Sequence, residues 1–371
     1  MLPASASGRG RQVRRLVGLA CIGVVFVVLA IRATQRPGID FQVLYRTGGA
    51  FRSRSDLYAI PSGIYGYRYA PGIAPLFTPL SYLSFRTALT VWIAISALIA
   101  FAVALVLSRQ FGARRPLAVP LAWACLLQPL AQELSHGQVD VLVLGLAVAA
   151  FEAEDSGREL LAGALVALAA GLKVAPVLLV IDWILRRRWR PFAGVLAAAV
   201  LSAMVVVWHL GMAGAIEQHA RWYETQSADV SGMIETLGNQ SLWSLARHLG
   251  LGTAGGAVAS LALLAVAISA PARTRRQLLL ATVPLVSAYG WPQLFILAIP
   301  LLSQILAEGK LAAWMAAFAA VAVSLLSYDV AGQHVEGWAQ EHRLFTVFLI
   351  TVVLAGRSLR AATPACGMPS R

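Results

Sequence analysis

The stretch TALTVWIAISALIAFAVALVLS, residues 87–108, runs for 22 residues without one charged side chain. A helix of about 20 residues at 1.5 Å rise crosses the hydrocarbon of a bilayer, so this stretch reads as a membrane helix. Working outward, Pro191–Val207, Leu249–Ala272, Gln277–Ala307 and Leu311–Tyr328 are also free of charge, each about 18 residues or more. A shorter apolar run, Leu16–Ile31, precedes them all. Of the 371 residues 58% are apolar and only 13% charged, against about 25% charged in a soluble domain. Such a chain cannot cover itself with polar surface in water. The expected fold is an all-α polytopic membrane protein, one domain over 1–371.

Expected spans are 16–33, 86–107, 117–131, 138–152, 159–172, 174–185, 191–209, 253–270, 278–290, 292–306, 311–328 and 344–356. The pairs 159–172/174–185 and 278–290/292–306 each read as two helices or one broken one, so about 10–12 crossings are expected. The run at 16–31 is followed by AIRATQRPG, which offers no clean signal-peptide cleavage site, and reads as a retained helix. The three cysteines, Cys21, Cys125 and Cys366, are scattered and make neither a disulfide framework nor a zinc spacing. The Ala, Arg, Gly and Val bias fits a GC-rich bacterial genome, hence a bacterial plasma membrane.

The net charge of +13 comes largely from short arginine clusters between apolar runs, which are topology signals rather than a nucleic-acid surface. With residues 1–15 and the tail 357–371 in the cytoplasm, 19 of the 30 basic residues lie inside. The exception is the first outer loop, 34–85, which carries Arg36, Arg46, Arg52, Arg54, Arg68 and, at its end, Arg86. A basic outer loop opposes the positive-inside rule. A phosphate-bearing ligand accounts for it, and so do lipid headgroups. The second outer loop, 210–252, and a third, 329–343, add polar and titratable residues on the same face. The inner loops are short and basic with no glycine-rich phosphate cradle, which argues against nucleotide chemistry in the cytoplasm.

Five segments carry candidate chemistry. RPGIDFQVLYRTGGAFRSRSDLY, Arg36–Tyr58, holds Asp40 before an amphipathic helix with Phe41, Leu44, Tyr45 and Phe51 on one face, the arginines and Thr47 on others. Asp40 there is either the helix N-cap or a reactive carboxylate. YGYRYAPGIAPLFTPLSYLSF, residues 65–85, breaks regular helix with prolines and supplies Tyr69 and Arg68, an aromatic and cationic wall or a re-entrant loop. SHGQVDVLVLGL sets His136, Gln138 and Asp140 at the head of an apolar helix. Two ligands do not make a metal site, so these are functional candidates or a water-facing cap. Lys173 ends a short helix before Pro176, aimed at an anion or snorkelling to the surface. Asp182 stands four residues before Arg186 and is read as its ion-pair partner. LGNQSLWSLARHL offers Asn239 and Gln240 for a polyol.

In their order and spacing these segments resemble glycosyltransferase family 87 of the GT-C superfamily. The matching stretches are DFQVLYRTGGAFRSRSDLY, YRYAPGIAPLFTPLSYL, HGQVDVLVLGLAVAAF, LAGALVALAAGLKVAPVLLVIDWILRRRWRPF and NQSLWSLARHL, over most of residues 35–250. The resemblance implies a GT-C-like helical bundle and a mannosyl or arabinosyl transfer from a polyprenyl-phosphate sugar to a lipid-linked glycan. The active site would face away from the cytoplasm, beside the lipid bilayer. Asp40 matches the general base of the first outer loop. Lys173, His136, Arg46 and Arg68 would meet the donor phosphate, and Tyr69, Gln138, Asn239, Gln240 and Trp291 the sugars. No metal or other cofactor and no nucleic acid is called for. The late-helix stretch VSAYGWPQLFILAIP keeps Trp291 but has Pro292 and Gln293 where the family pattern has histidines. Two other classes compete. A transporter or lipid-carrier flippase would show an internal repeat and midplane charges, and a non-catalytic membrane subunit would tolerate replacement of Asp40.

Overall fold

A chain in lipid must satisfy every backbone N–H and C=O internally, which leaves the helix as the local solution for these apolar runs. The structure, a computed structural model, describes residues 4–59, 66–227, 234–236, 238–309, 311–325 and 344–357. The third outer loop expected at 329–343 lies outside the described residues, as do parts of the first and second loops and nearly all of the tail.

Sixteen α-helices and no strand occur among the described residues. They are α1 (Ala4–Ala33), α2 (Ile39–Arg52), α3 (Ala74–Phe77), α4 (Phe85–Phe111), α5 (Ala118–Cys125), α6 (Leu127–His136), α7 (Asp140–Asp155) and α8 (Glu159–Leu172). Then follow α9 (Leu179–Leu185), α10 (Arg190–Ser227), α11 (Leu242–His248), α12 (Gly252–Ile268), α13 (Ala272–Val286), α14 (Ile299–Glu308), α15 (Leu311–Leu325) and α16 (Leu344–Arg357). The chain is an all-α polytopic membrane protein. Gly10–Ala33, Phe85–Phe111 and Arg190–Ser227 are long and apolar enough to cross a bilayer, and α6 with α7, bent by 117°, makes a fourth crossing if taken as one span. Other apolar helices have 10–17 residues. That is shorter than the roughly 20 a full crossing needs. Several segments expected as separate crossings are therefore partial helices. The expected span 191–209 is the first half of α10, which continues through a kink at Gly211 to Ser227.

α7 and α8 run antiparallel, and α10 packs along α8. A Cβ on Gly163 would strike the Pro191 carbonyl, and one on Gly194 the Leu160 carbonyl. Small residues let two backbones touch, which is how helices gain packing energy in lipid. At one end of α7–α8, Glu154 pairs with Arg186 and with Arg188 (2.9 Å). Asp182 pairs with Arg186 at 2.6 Å, as its spacing in the sequence indicates, and also with Arg275 at 3.2 Å. The cavity described next lies at the other end, about 24 Å away along α7.

Candidate functional site

Three helix breaks meet at one cavity of about 570 Å³. The first is the α6–α7 bend at residues 137–139, the second follows Leu172, and the third runs from the end of α13 to Pro292. Each break follows from the sequence. Gly137 takes φ +69° and ends α6. Pro176 opens a 3-10 turn, Ala175–Leu178, and Pro292 opens another, Pro292–Ala298. Irregular backbone at membrane depth is tolerated where it lines a cavity.

The segment 34–85, expected as the first outer loop, supplies the fourth wall. α2 begins at Ile39 after Gly38, which is the N-cap; no side chain caps the helix. Asp40 is therefore not the cap that its position suggested. It sits in the first turn, where the helix dipole favours a carboxylate, and its side chain is only 15% exposed. Thr47, expected beside the arginines, is instead fully buried and bonds the Val43 carbonyl at 2.9 Å. Phe41 packs against Trp92 at 6.1 Å between ring centres. Trp92 Nε1 donates to the carbonyls of Gly137 (3.0 Å) and Gln138 (3.2 Å). A Cβ on Gly137 would stand 2.6 Å from Phe41 Cβ, so only glycine permits this approach. The result brings His136 Nδ1 to 3.4 Å from Asp40 Oδ2.

Lys173 follows the last turn of α8 in extended backbone. Its Nζ is 3.1 Å from Asp140 Oδ1, and Asp140 is wholly buried at the head of α7. Glu133, one turn before the bend, is also buried and accepts from the Val141 N–H at 2.9 Å. Arg68 Nη1 donates to the Tyr289 hydroxyl at 2.6 Å. Tyr69 Oη donates to Gln138 Oε1 at 3.4 Å. Burial, then the carboxylates of Asp40, Asp140 and Glu133, push the Tyr69 phenol well above its ordinary pKa, so it stays a donor.

Of the residues singled out in the sequence, Asp40, Arg68, Tyr69, His136, Gln138, Lys173 and Trp291 line this cavity, and Gln293 lines it too. Arg46, Asn239 and Gln240 do not. Arg46 is exposed on another face of α2. Asn239 is buried: Oδ1 accepts from Ser241 N (3.1 Å) and Gly290 N (3.0 Å), and Nδ2 donates to Ala288 O (2.7 Å). Gln240 donates its backbone N–H to Gly290 O at 2.8 Å, and its carbonyl accepts from Thr346. Both residues bracket the irregular segment that carries Tyr289 and Trp291. The sequence reading passed over Glu133 and Tyr289. An acid inside LAQELSH, three residues before His136, was the available signal for the first. Nothing local marked the second.

The model of glycosyltransferase family 87 matches residues 67–300. A curated relative is 31% identical over 261 residues, 65% of this chain and 59% of its own length. It is the polyprenol-phosphate-mannose-dependent alpha-(1-2)-phosphatidylinositol pentamannoside mannosyltransferase of Mycolicibacterium smegmatis. The chain thus spans less than two thirds of that relative. No solved structure matches.

Proposed function

The chain belongs to glycosyltransferase family 87, and from that premise we propose that it moves a hexosyl or pentosyl residue, mannose first among them, from a polyprenyl-phosphate sugar to a lipid-linked glycan of the cell envelope. The observation that carries this reading is one cavity holding a carboxylate, Asp40, together with the cations Lys173 and Arg68. Asp40 takes the proton of the acceptor hydroxyl as that oxygen attacks the anomeric carbon. The bond from the anomeric carbon to the phosphate oxygen breaks, and the phosphate leaves on its polyprenyl chain with the electron pair. A phosphate ester leaves readily, so a general acid is not required. Its negative charge is stabilised by the cations of the cavity. His136, facing Asp40, holds the carboxylate in place. The site opens on the extracytoplasmic face of a bacterial plasma membrane, where the basic first loop also lies.

Membranes carrying the chain, given a radiolabelled polyprenyl-phosphate mannose and an envelope glycolipid acceptor, will show transfer. Asp40→Asn at equal expression will lower it by about 10²-fold or more, the scale of one general base. Full activity in that variant, or no transfer from any polyprenyl-linked mannose or arabinose, sinks the reading.

A further inference from the structure

Lys173 is tied to a wholly buried carboxylate, Asp140, at 3.1 Å, and His136 faces Asp40 at 3.4 Å. Among the described residues no carboxylate pairs with Arg68, although Arg68 lines the same cavity. Its guanidinium is held instead by a neutral ring. Nη1 donates to Tyr289 Oη at 2.6 Å, and the guanidinium carbon lies 5.0 Å from the Tyr289 ring centre. A tyrosine orients a guanidinium without cancelling its charge.

The pair is braced from both sides. The Arg68 carbonyl accepts from Trp222 Nε1 (3.2 Å) and Gln226 Nε2 (2.6 Å) on the outer half of α10. On the Tyr289 side, Asn239 bonds the backbone on both flanks, at Ala288 O and Gly290 N. Trp243 Nε1 donates to Val286 O at 2.9 Å.

We propose that Arg68 is the principal phosphate-receiving residue of this cavity, with Tyr289 the positioning residue that aims it and Lys173, its charge shared with Asp140, the lesser cation. The inference rests on the polyprenyl-phosphate reading and sharpens it. The ligand class is a phosphate ester on a long isoprenoid, a diester in the sugar donor and a monoester in the carrier that leaves. The guanidinium fork suits phosphate oxygens, and the N–H groups not given to Tyr289 remain for them.

The test is binding of undecaprenyl phosphate to the purified full chain in nanodiscs, followed by tryptophan fluorescence. Transfer kinetics and melting temperature are measured alongside. Arg68→Gln will weaken binding about 10- to 100-fold, the range of a lost charged hydrogen bond. Arg68→Lys will recover part of it, since charge returns without the fork. Tyr289→Phe keeps the ring and removes the acceptor oxygen. It will raise KM about three- to tenfold with kcat and melting temperature nearly unchanged. A merely structural tyrosine would lower the melting temperature and kcat together, and that result overturns its role. Wild-type affinity in both Arg68 variants overturns the subsite.

Undecaprenol, inorganic phosphate and phosphatidylglycerol separate the sources of the phosphate. Competition by phosphatidylglycerol as strong as by undecaprenyl phosphate assigns Arg68 to lipid headgroups and overturns the carrier assignment. If Arg68 governs undecaprenyl phosphate binding while Asp40→Asn still transfers sugar, the catalytic reading fails and the subsite stands.

Discussion

The ion pair of Lys173 with Asp140 ties a cation of the cavity wall to a buried carboxylate behind it. Asp140 is 0% exposed and the Lys173 side chain 22%. Removing one partner of such a pair strands the other in a poor solvent, at a cost of about 3–5 kcal/mol. Asp140→Ala will therefore lower the melting temperature in detergent strongly. The double variant Asp140→Ala with Lys173→Met will recover part of the loss, because no bare ammonium is left. Additive losses in that cycle would show the two residues do not interact. The Asp182–Arg186 pair was legible in the sequence because i, i+4 spacing fixes it locally. The Lys173–Asp140 pair was not, since its partners are 33 residues apart and meet only when α7 and α8 pack. Direction was also hidden. Asn239 has the same amide whether it meets a sugar hydroxyl or a backbone carbonyl, and only the fold turns it toward Ala288 O.

Helix breaks, more than helices, build the site. The sequence marked two of them as paired short spans divided near Lys173 and Trp291. The third, inside SHGQVDV, looked like a plain helix start, because one glycine does not announce a bend of 117°. Arg46 shows a related limit. It shares α2 with Asp40, but six residues at about 100° each turn it well away from the carboxylate. The bend at Gly137 gives an element-scale prediction. Gly137→Ala places a methyl against Phe41 in a left-handed backbone, which costs about 1–2 kcal/mol before any packing strain. α2 must then back away from the α6–α7 bend. The variant will fold, with a melting temperature a few degrees lower, and lose most of its transfer activity because Asp40 and His136 separate. Paired thermal melts and transfer rates check this; wild-type rates would show that the approach of α2 is not needed.

At the scale of the whole molecule, charge is sorted by end. Asp40, Arg68 and Lys173 gather where α7 begins. Glu154, Arg186, Arg188 and Arg276 interlock where it ends, about 24 Å along the helix. The short loops at that second end hold the arginine clusters that the positive-inside rule assigns to the cytoplasm. On the proposed orientation the cavity opens on the opposite face, where a phosphate-bearing ligand or lipid headgroups would offset the topological cost of its basic loop. Two exposed serines test the assignment. Ser53 follows α2 in the loop expected outside, and Ser156 lies in the turn between α7 and α8. With Cys21, Cys125 and Cys366 first replaced by Ser, Ser53→Cys in intact cells will react with a membrane-impermeant maleimide. Ser156→Cys will react only after the cells are opened. The reverse pattern would turn the molecule over and put the sugar transfer on the cytoplasmic face, where a basic first loop would need no ligand to explain it.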